Sequence, residues 1–139
     1  MNEKLKTIKI IHLAICAGTI LAYFMIGELY SLDNLKMPTI DSTSIVYLAI
    51  PIIAFFLSNF LFKSQLKNID PKLSLEDKFG AYQTASLVRW AVLEGAAFII
   101  LFYNIDYLIF GILIIIYLVL LVPTEDRIKR DLDSLYLGK

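Results

Sequence analysis

Long apolar runs separated by short polar stretches dominate the pattern of this chain. Four such runs, here called spans 1 to 4, cover about residues 8–29, 44–62, 82–103 and 105–122. Each approaches or exceeds the ~20 residues that a helix needs to cross ~30 Å of hydrocarbon. Lipid offers the backbone no hydrogen-bond partners, so the spans are expected to be helical. The pattern therefore predicts an all-α integral membrane protein.

The connections between the spans predict how they pair. Spans 3 and 4 are joined by a very short connection, which predicts a tight antiparallel hairpin. Spans 1 and 2 are expected to form a second hairpin around a longer loop that contains Pro38, and a polar loop at residues 63–81 joins the two hairpins. We therefore expect a single transmembrane domain over residues 1–139, a four-helix bundle made of two antiparallel transmembrane hairpins.

An internal duplication is one explanation of a weak likeness between the two halves. The segment that begins at His12 aligns with the segment that begins at Arg89, and span 2 aligns with span 4. A chance likeness of apolar helices explains the alignment equally well, so both interpretations stay open.

The last residues, 124–139, are predicted to form a short amphipathic helix suited to the membrane surface. A solvated, frayed tail is the alternative. The apolar positions that would share one face of this helix are Ile128, Leu132, Leu135 and Tyr136.

Lysine and arginine are distributed unevenly, which predicts the orientation of the spans. The N-terminus, the loop at 63–81 and the tail carry almost all of them, whereas the other two connections carry only Lys36. Loops rich in lysine and arginine stay in the cytoplasm, so both termini and the middle loop are predicted to be cytoplasmic. Span 1 starts with basic residues like a signal peptide. Its apolar stretch is too long for one and no small-residue cleavage site follows, so we expect a retained helix.

Composition and charge exclude several classes of function. The chain is 58% hydrophobic with a formal net charge of zero, so nothing attracts it generally to nucleic acid. One cysteine and one histidine exclude an internal disulfide and are too few for a typical zinc site. No phosphate-binding loop, dinucleotide motif or nucleophile elbow is present. We therefore expect a non-enzymatic protein with no catalytic residue, cofactor or metal.

Glu94 is the main candidate for a functional residue because it lies near the middle of span 3. A carboxylate at that depth costs a few kcal/mol or more to insert, so it is expected to be protonated, paired or facing water inside a bundle. On a helical wheel Glu94 shares a face with Gln83 and Trp90. Arg89 points about 140° away and is expected to extend to the lipid headgroups.

The partner of Glu94 is expected on another helix or another subunit. Span 1 carries a polar stripe at helical spacing, and span 2 carries an amide near its cytoplasmic end. These candidate partners are His12, Cys16, Thr19 and Asn59.

The second half of the chain resembles a group of small, uncharacterised four-helix proteins of the bacterial inner membrane. The likeness rests on the segment YQTASLVRWAVLEGAAF, residues 82–98, and on the sequence PTEDR at 123–127 after the hairpin. It implies a multi-pass protein of the bacterial inner membrane and implies no activity.

The surroundings of Glu94 also resemble those of the ion-binding carboxylate in the proteolipid c subunit of rotary ATPases. The likeness rests on AVLEGAA, residues 91–97. It implies that Glu94 binds an ion, and some members of that family are four-helix duplications. This chain departs from the family because Glu94 lies in the first helix of its hairpin. It also has only 6 glycines, whereas the family has a glycine-rich packing helix.

Two functions follow from these observations. The first is a small structural or accessory subunit in the lipid bilayer, in a homo-oligomer or a larger membrane complex, with Gln83, Trp90 and Glu94 as a polar seam at the contact. The alternative is proton or cation translocation that uses the carboxyl of Glu94.

Overall fold

The structure, a computed structural model, describes residues 2–28 and 37–137, and within these ranges it contains helices and no strand. The all-α class is confirmed. Tyr30, Lys36 and Lys139 lie outside the described residues, as do the predicted end of span 1 and the side chains of Leu135 and Tyr136. The helices are α1 (Asn2–Ile26), α2 (Ser42–Lys67), α3 (Leu75–Tyr103), α4 (Leu108–Leu120) and α5 (Glu125–Leu137), with a 3₁₀ turn at Ile105–Tyr107 before α4.

Three of these helices, α1, α2 and α3, are long and apolar enough to cross a membrane. The fourth apolar segment, Ile105–Leu120, is long enough to count as a candidate span only when it is taken together with α5. The two segments meet at an angle of 87°. Helix α4 ends at Leu120 because Pro123 follows and has no backbone N–H to continue the hydrogen bonds of the helix. The described part of the chain thus has three to four candidate transmembrane helices.

Side-chain caps set where α2 and α3 begin. Asp41 accepts a 2.8 Å hydrogen bond from the N–H of Ser44, whose hydroxyl oxygen accepts one from the N–H of Asp41. Ser74 accepts a 3.2 Å bond from the N–H of Asp77 at the start of α3. Such caps satisfy the N–H groups that have no partner in the first turn of a helix. The cap at Ser74 starts α3 well before the apolar run of span 3.

Helix α3 is the centre of the bundle. Half of its most apolar stretch, 50%, is buried, compared with 28% for α1 and 17% for α2. Ala85, Trp90, Ala97 and Ile100 on α3 are all fully buried. The other helices therefore pack around one wide face of α3.

Basic residues collect at one end of the bundle. The ammonium group of Lys4 donates a 3.1 Å hydrogen bond to the carbonyl of Glu76, so the starts of α1 and α3 are adjacent. The Tyr82 hydroxyl donates a 2.7 Å bond to Asp131, which brings α5 to the same end. We call this the basic end. The opposite end is marked by a stacked pair of rings, Tyr47 and Tyr107, whose centroids are 4.6 Å apart.

A close approach between α1 and α4 depends on Gly111. Tyr23 is 1% exposed, and its hydroxyl donates to the carbonyl of Ala97. A side chain at Gly111 would collide with the Tyr23 ring and hydroxyl. The absence of a Cβ at this position lets Tyr23 reach across to α3.

Replacing Gly111 with alanine should lower the free energy of unfolding by about 1–3 kcal/mol, because the added methyl group overpacks the Tyr23 contact. Gly80→Ala is the matched control: Gly80 lies in a helix with open space around it, so alanine there should be neutral or stabilise by up to about 1 kcal/mol. Unfolding by denaturing detergent, followed by circular dichroism, measures both. Equal free energies of unfolding for the Gly111→Ala and Gly80→Ala variants would contradict the close packing of Tyr23 against Gly111.

Candidate functional site

Glu94 lies on α3 at the edge of the face that the other helices cover. Its side chain is partly exposed, and no hydrogen bond or ion pair joins it to any residue in the ranges 2–28 and 37–137. Cys16 on α1 is within electrostatic range of the carboxyl. The carboxyl of Glu94 therefore borders α1 and is open on its other side.

Trp90 lies one turn before Glu94 but is fully buried inside the bundle. Its indole contacts the His12 ring edge to face, with the ring centroids 4.8 Å apart. His12 Nε2 lies 2.8 Å from the carbonyl of Leu118. A carbonyl only accepts, so Nε2 carries the proton and donates. Trp90, His12 and Leu118 thus join α3, α1 and α4 at one level.

The remaining stripe of α1 packs inward as well. The thiol of Cys16 lies 3.5 Å from His12 Nε2 and 3.9 Å from Nδ1. Since Nε2 donates to Leu118, Nδ1 is the ring nitrogen that accepts the thiol proton. The Thr19 hydroxyl donates a 2.7 Å bond to the carbonyl of Ile15 in its own helix. Neither residue hydrogen-bonds to Glu94.

Gln83 and Asn59 have different surroundings. Gln83 is partly exposed and forms no hydrogen bond within the described part of the chain. The Asn59 amide donates to the Tyr117 hydroxyl at 2.7 Å and to the Phe55 carbonyl at 2.8 Å, so it ties α2 to α4. The structure therefore brings Trp90, His12 and Cys16 together, and it gives Gln83 and Glu94 no hydrogen-bond partner within residues 2–28 and 37–137.

Arg89 differs from its expected position. It was expected to extend to the headgroups, but its side chain is only 5% exposed. Its guanidinium carbon lies 3.6 Å from the centre of the Phe62 ring on α2. Guanidinium is planar and weakly hydrated, so an aromatic face can replace part of its water shell. Sequence reasoning missed this contact because Phe62 lies in a different helix.

Helix α5 closes the basic end of the bundle. Ile128 and Leu132 are 2% and 4% exposed, so these two positions of the predicted apolar face pack against the protein. The bond from Tyr82 to Asp131 fixes the polar edge of the same helix. An amphipathic pattern is equally compatible with binding to a membrane surface and with packing on the protein. The sequence pattern alone therefore does not predict which of the two surfaces α5 covers.

Comparison with family models, with curated proteins and with solved structures finds no match to this chain. The described residues also contain no group of three His, Cys, Asp or Glu side chains that could hold a metal ion. The two likenesses stated from the sequence stay predictions. The polar residues of α3 and their surroundings are the basis for assigning a function.

Replacing Tyr82 with phenylalanine should loosen α5, because the carboxylate of Asp131 loses a charge-assisted hydrogen bond of about 1.5–3 kcal/mol. Hydrogen exchange of the backbone at residues 125–137 should become faster, while exchange within α3 stays slow. Tyr103→Phe removes the same hydroxyl from a side chain that is 78% exposed and serves as the control. Unchanged exchange of α5 in Tyr82→Phe would mean that this bond does not hold it.

Proposed function

We propose that the chain is a multi-pass protein of the bacterial inner membrane, with helices paired as antiparallel hairpins and both termini in the cytoplasm. Its three to four apolar helices support insertion. Phe62, late in α2, packs on Tyr82, early in α3, which supports antiparallel pairing of these helices. The basic end carries the lysine-rich segments, and loops of that composition stay cytoplasmic.

Within that membrane we propose that the protein is a structural or accessory subunit of a homo-oligomer or larger complex. The observation that carries this proposal is the carboxyl of Glu94, which is partly exposed mid-helix and has no partner among the described residues. Ionisable side chains in spanning helices are costly and are normally paired or turned to a cavity. A polar group from a second subunit would complete the site.

The surface beside Glu94 suits a closely packed helix. Ala91 and Gly95 on α3 are exposed, and nothing lies within 4 Å of the point where a Cβ of Gly95 would be. They line an apolar groove of about 360 Å³ against α2, together with Ala54 and Ala96. Small residues let two membrane helices approach closely, and polar side chains then hydrogen-bond across them. A helix seated here would lie next to Glu94.

The proposed contact is narrower than the polar seam expected from the sequence. Trp90 is fully buried and packs on His12. It therefore lies beneath the proposed contact surface and does not form part of that surface. Gln83 and Glu94 share the outer edge of α3 and are the polar members of the contact.

Substitutions of Glu94 test this function. Glu94→Gln retains hydrogen bonding and should leave the assembly intact, whereas Glu94→Leu should weaken association about 3- to 30-fold, the range for one interhelical hydrogen bond in a membrane. Light scattering in mild detergent over a dilution series measures the association. Glu76→Leu, at an exposed glutamate in the first turn of α3, is the control and should associate like the native protein. A native protein that is monomeric and purifies without a membrane partner would contradict the proposal.

Proton or cation translocation is the second candidate, and the partial exposure of an unpaired Glu94 favours it. Here Glu94→Gln should abolish flux into liposomes although the variant still assembles, because the amide has no acidic proton to release and no negative charge to attract a cation. The measurement is pH-dye fluorescence in proteoliposomes under an imposed potential. Absence of flux in the native protein at every pH tested would exclude this candidate.

A further inference from the structure

Three buried hydrogen-bond donors on α3 have no partner in the part of the chain that the structure describes. They are the Ser86 hydroxyl, Arg89 Nε and Trp90 Nε1. Ser86 and Trp90 are fully buried, and Arg89 is 5% exposed. Residues three and four apart on a helix are neighbours, so Ser86 lies one turn from both of the others. Buried donors are nearly always paired in proteins, and three within one turn indicate an acceptor that the described part of the chain does not provide.

The charged groups near these donors are of both signs. Asp131 and Arg127 both lie within electrostatic range of Arg89. Asp131 is the nearest acid, but one of its oxygens accepts from Tyr82 and the other lies 3.9 Å from Arg130. Arg89 therefore forms no salt bridge with any acid in the described residues, and its guanidinium packs on the face of Phe62.

The site lies at the basic end, near the level of the flanking lysines. Lys63 directly follows Phe62 in α2, and Lys9 precedes His12 by less than one turn of α1; both are exposed. Exposed lysines at the ends of spanning helices lie at the headgroup level. A group that enters from the interface therefore has only a short distance to travel to Arg89.

We propose that Ser86, Arg89 and Trp90 form a binding site for a phosphate group. A phosphate offers negative charge and several acceptor oxygens in different directions, which three donors spread over one helical turn require. The planar fork of Arg89 matches two of those oxygens at once. The phosphate belongs either to an anionic phospholipid or to inorganic phosphate. Arg89, which supplies the charge at this site, lies about 140° from Glu94 around the same helix.

Binding to the full-length protein in phosphate-free, uncharged detergent tests this proposal. Inorganic phosphate and a short-chain phosphatidylglycerol are titrated separately, with the melting temperature and calorimetric affinity as readouts. The native protein should bind at least one of them saturably. Tighter binding of phosphatidylglycerol identifies a lipid site, and equal or tighter binding of inorganic phosphate identifies a soluble anion site.

Variants that change single donors locate the site. Arg89→Gln should weaken binding about 10- to 100-fold and Ser86→Ala about 3- to 10-fold, in line with charged and neutral hydrogen bonds. Arg89→Lys should retain part of the affinity, since it preserves the charge and loses the fork. Lys129→Gln removes one positive charge from an exposed position of α5, where Lys129 pairs with Glu125, and should bind like the native protein.

Ser86→Ala keeps the test decisive if Arg89→Gln does not fold. The Ser86 hydroxyl has no partner among the described residues. Its removal should therefore leave the melting temperature of the ligand-free protein unchanged while phosphate binding weakens. The proposal is overturned if neither probe binds saturably, if Ser86→Ala and Arg89→Lys both bind like the native protein, or if Lys129→Gln loses as much affinity as they do.

Discussion

Polar groups on an apolar helix have to find their partners inside the protein, and on α3 this constraint applies to Tyr82, Ser86, Arg89 and Trp90. Helices α1, α2 and α5 supply contacts for several of them. His12 on α1 packs on Trp90, Phe62 on α2 covers Arg89, and Asp131 on α5 accepts from Tyr82. These contacts explain why α3 lies at the centre and why α5 folds back on the bundle. They also fix how the helices are positioned relative to one another more specifically than apolar packing alone, because each polar contact has a preferred direction.

The polar groups without a hydrogen-bond partner among the described residues carry the functional proposals. Glu94 is partly exposed on α3, whereas Ser86 and Arg89 are enclosed at the basic end. A carboxyl on the outer surface of a spanning helix can be paired by a polar group of another helix. Buried donors need an acceptor small enough to enter the bundle. The two proposals therefore concern different kinds of partner and are tested by different variants, so either can fail without the other.

Sequence reasoning predicted the helical class and the apolar segments because both depend on local pattern. It also identified His12, Cys16 and Trp90 as residues of interest, although their mutual contacts come from two separate helices. The burial of Arg89 could not be predicted in this way, because it depends on Phe62, which lies 27 positions earlier in the chain. Trp90 is a similar case. Trp90 lies only about 40° from Glu94 on the helical wheel, yet Trp90 packs on α1 whereas Glu94 is partly exposed. The wheel does not predict such a difference between neighbouring positions.

The central claim is that the edge of α3 around Glu94 contacts another protein helix. Photocrosslinking in native membranes tests it most directly, with a photoreactive amino acid placed at Phe98, one turn after Glu94 and partly exposed. Phe56, which is 67% exposed on α2, is the reference position. The account predicts a discrete protein adduct at residue 98, either a dimer of this chain or a single partner, and lipid adducts alone at residue 56. Lipid adducts alone at both positions would contradict it.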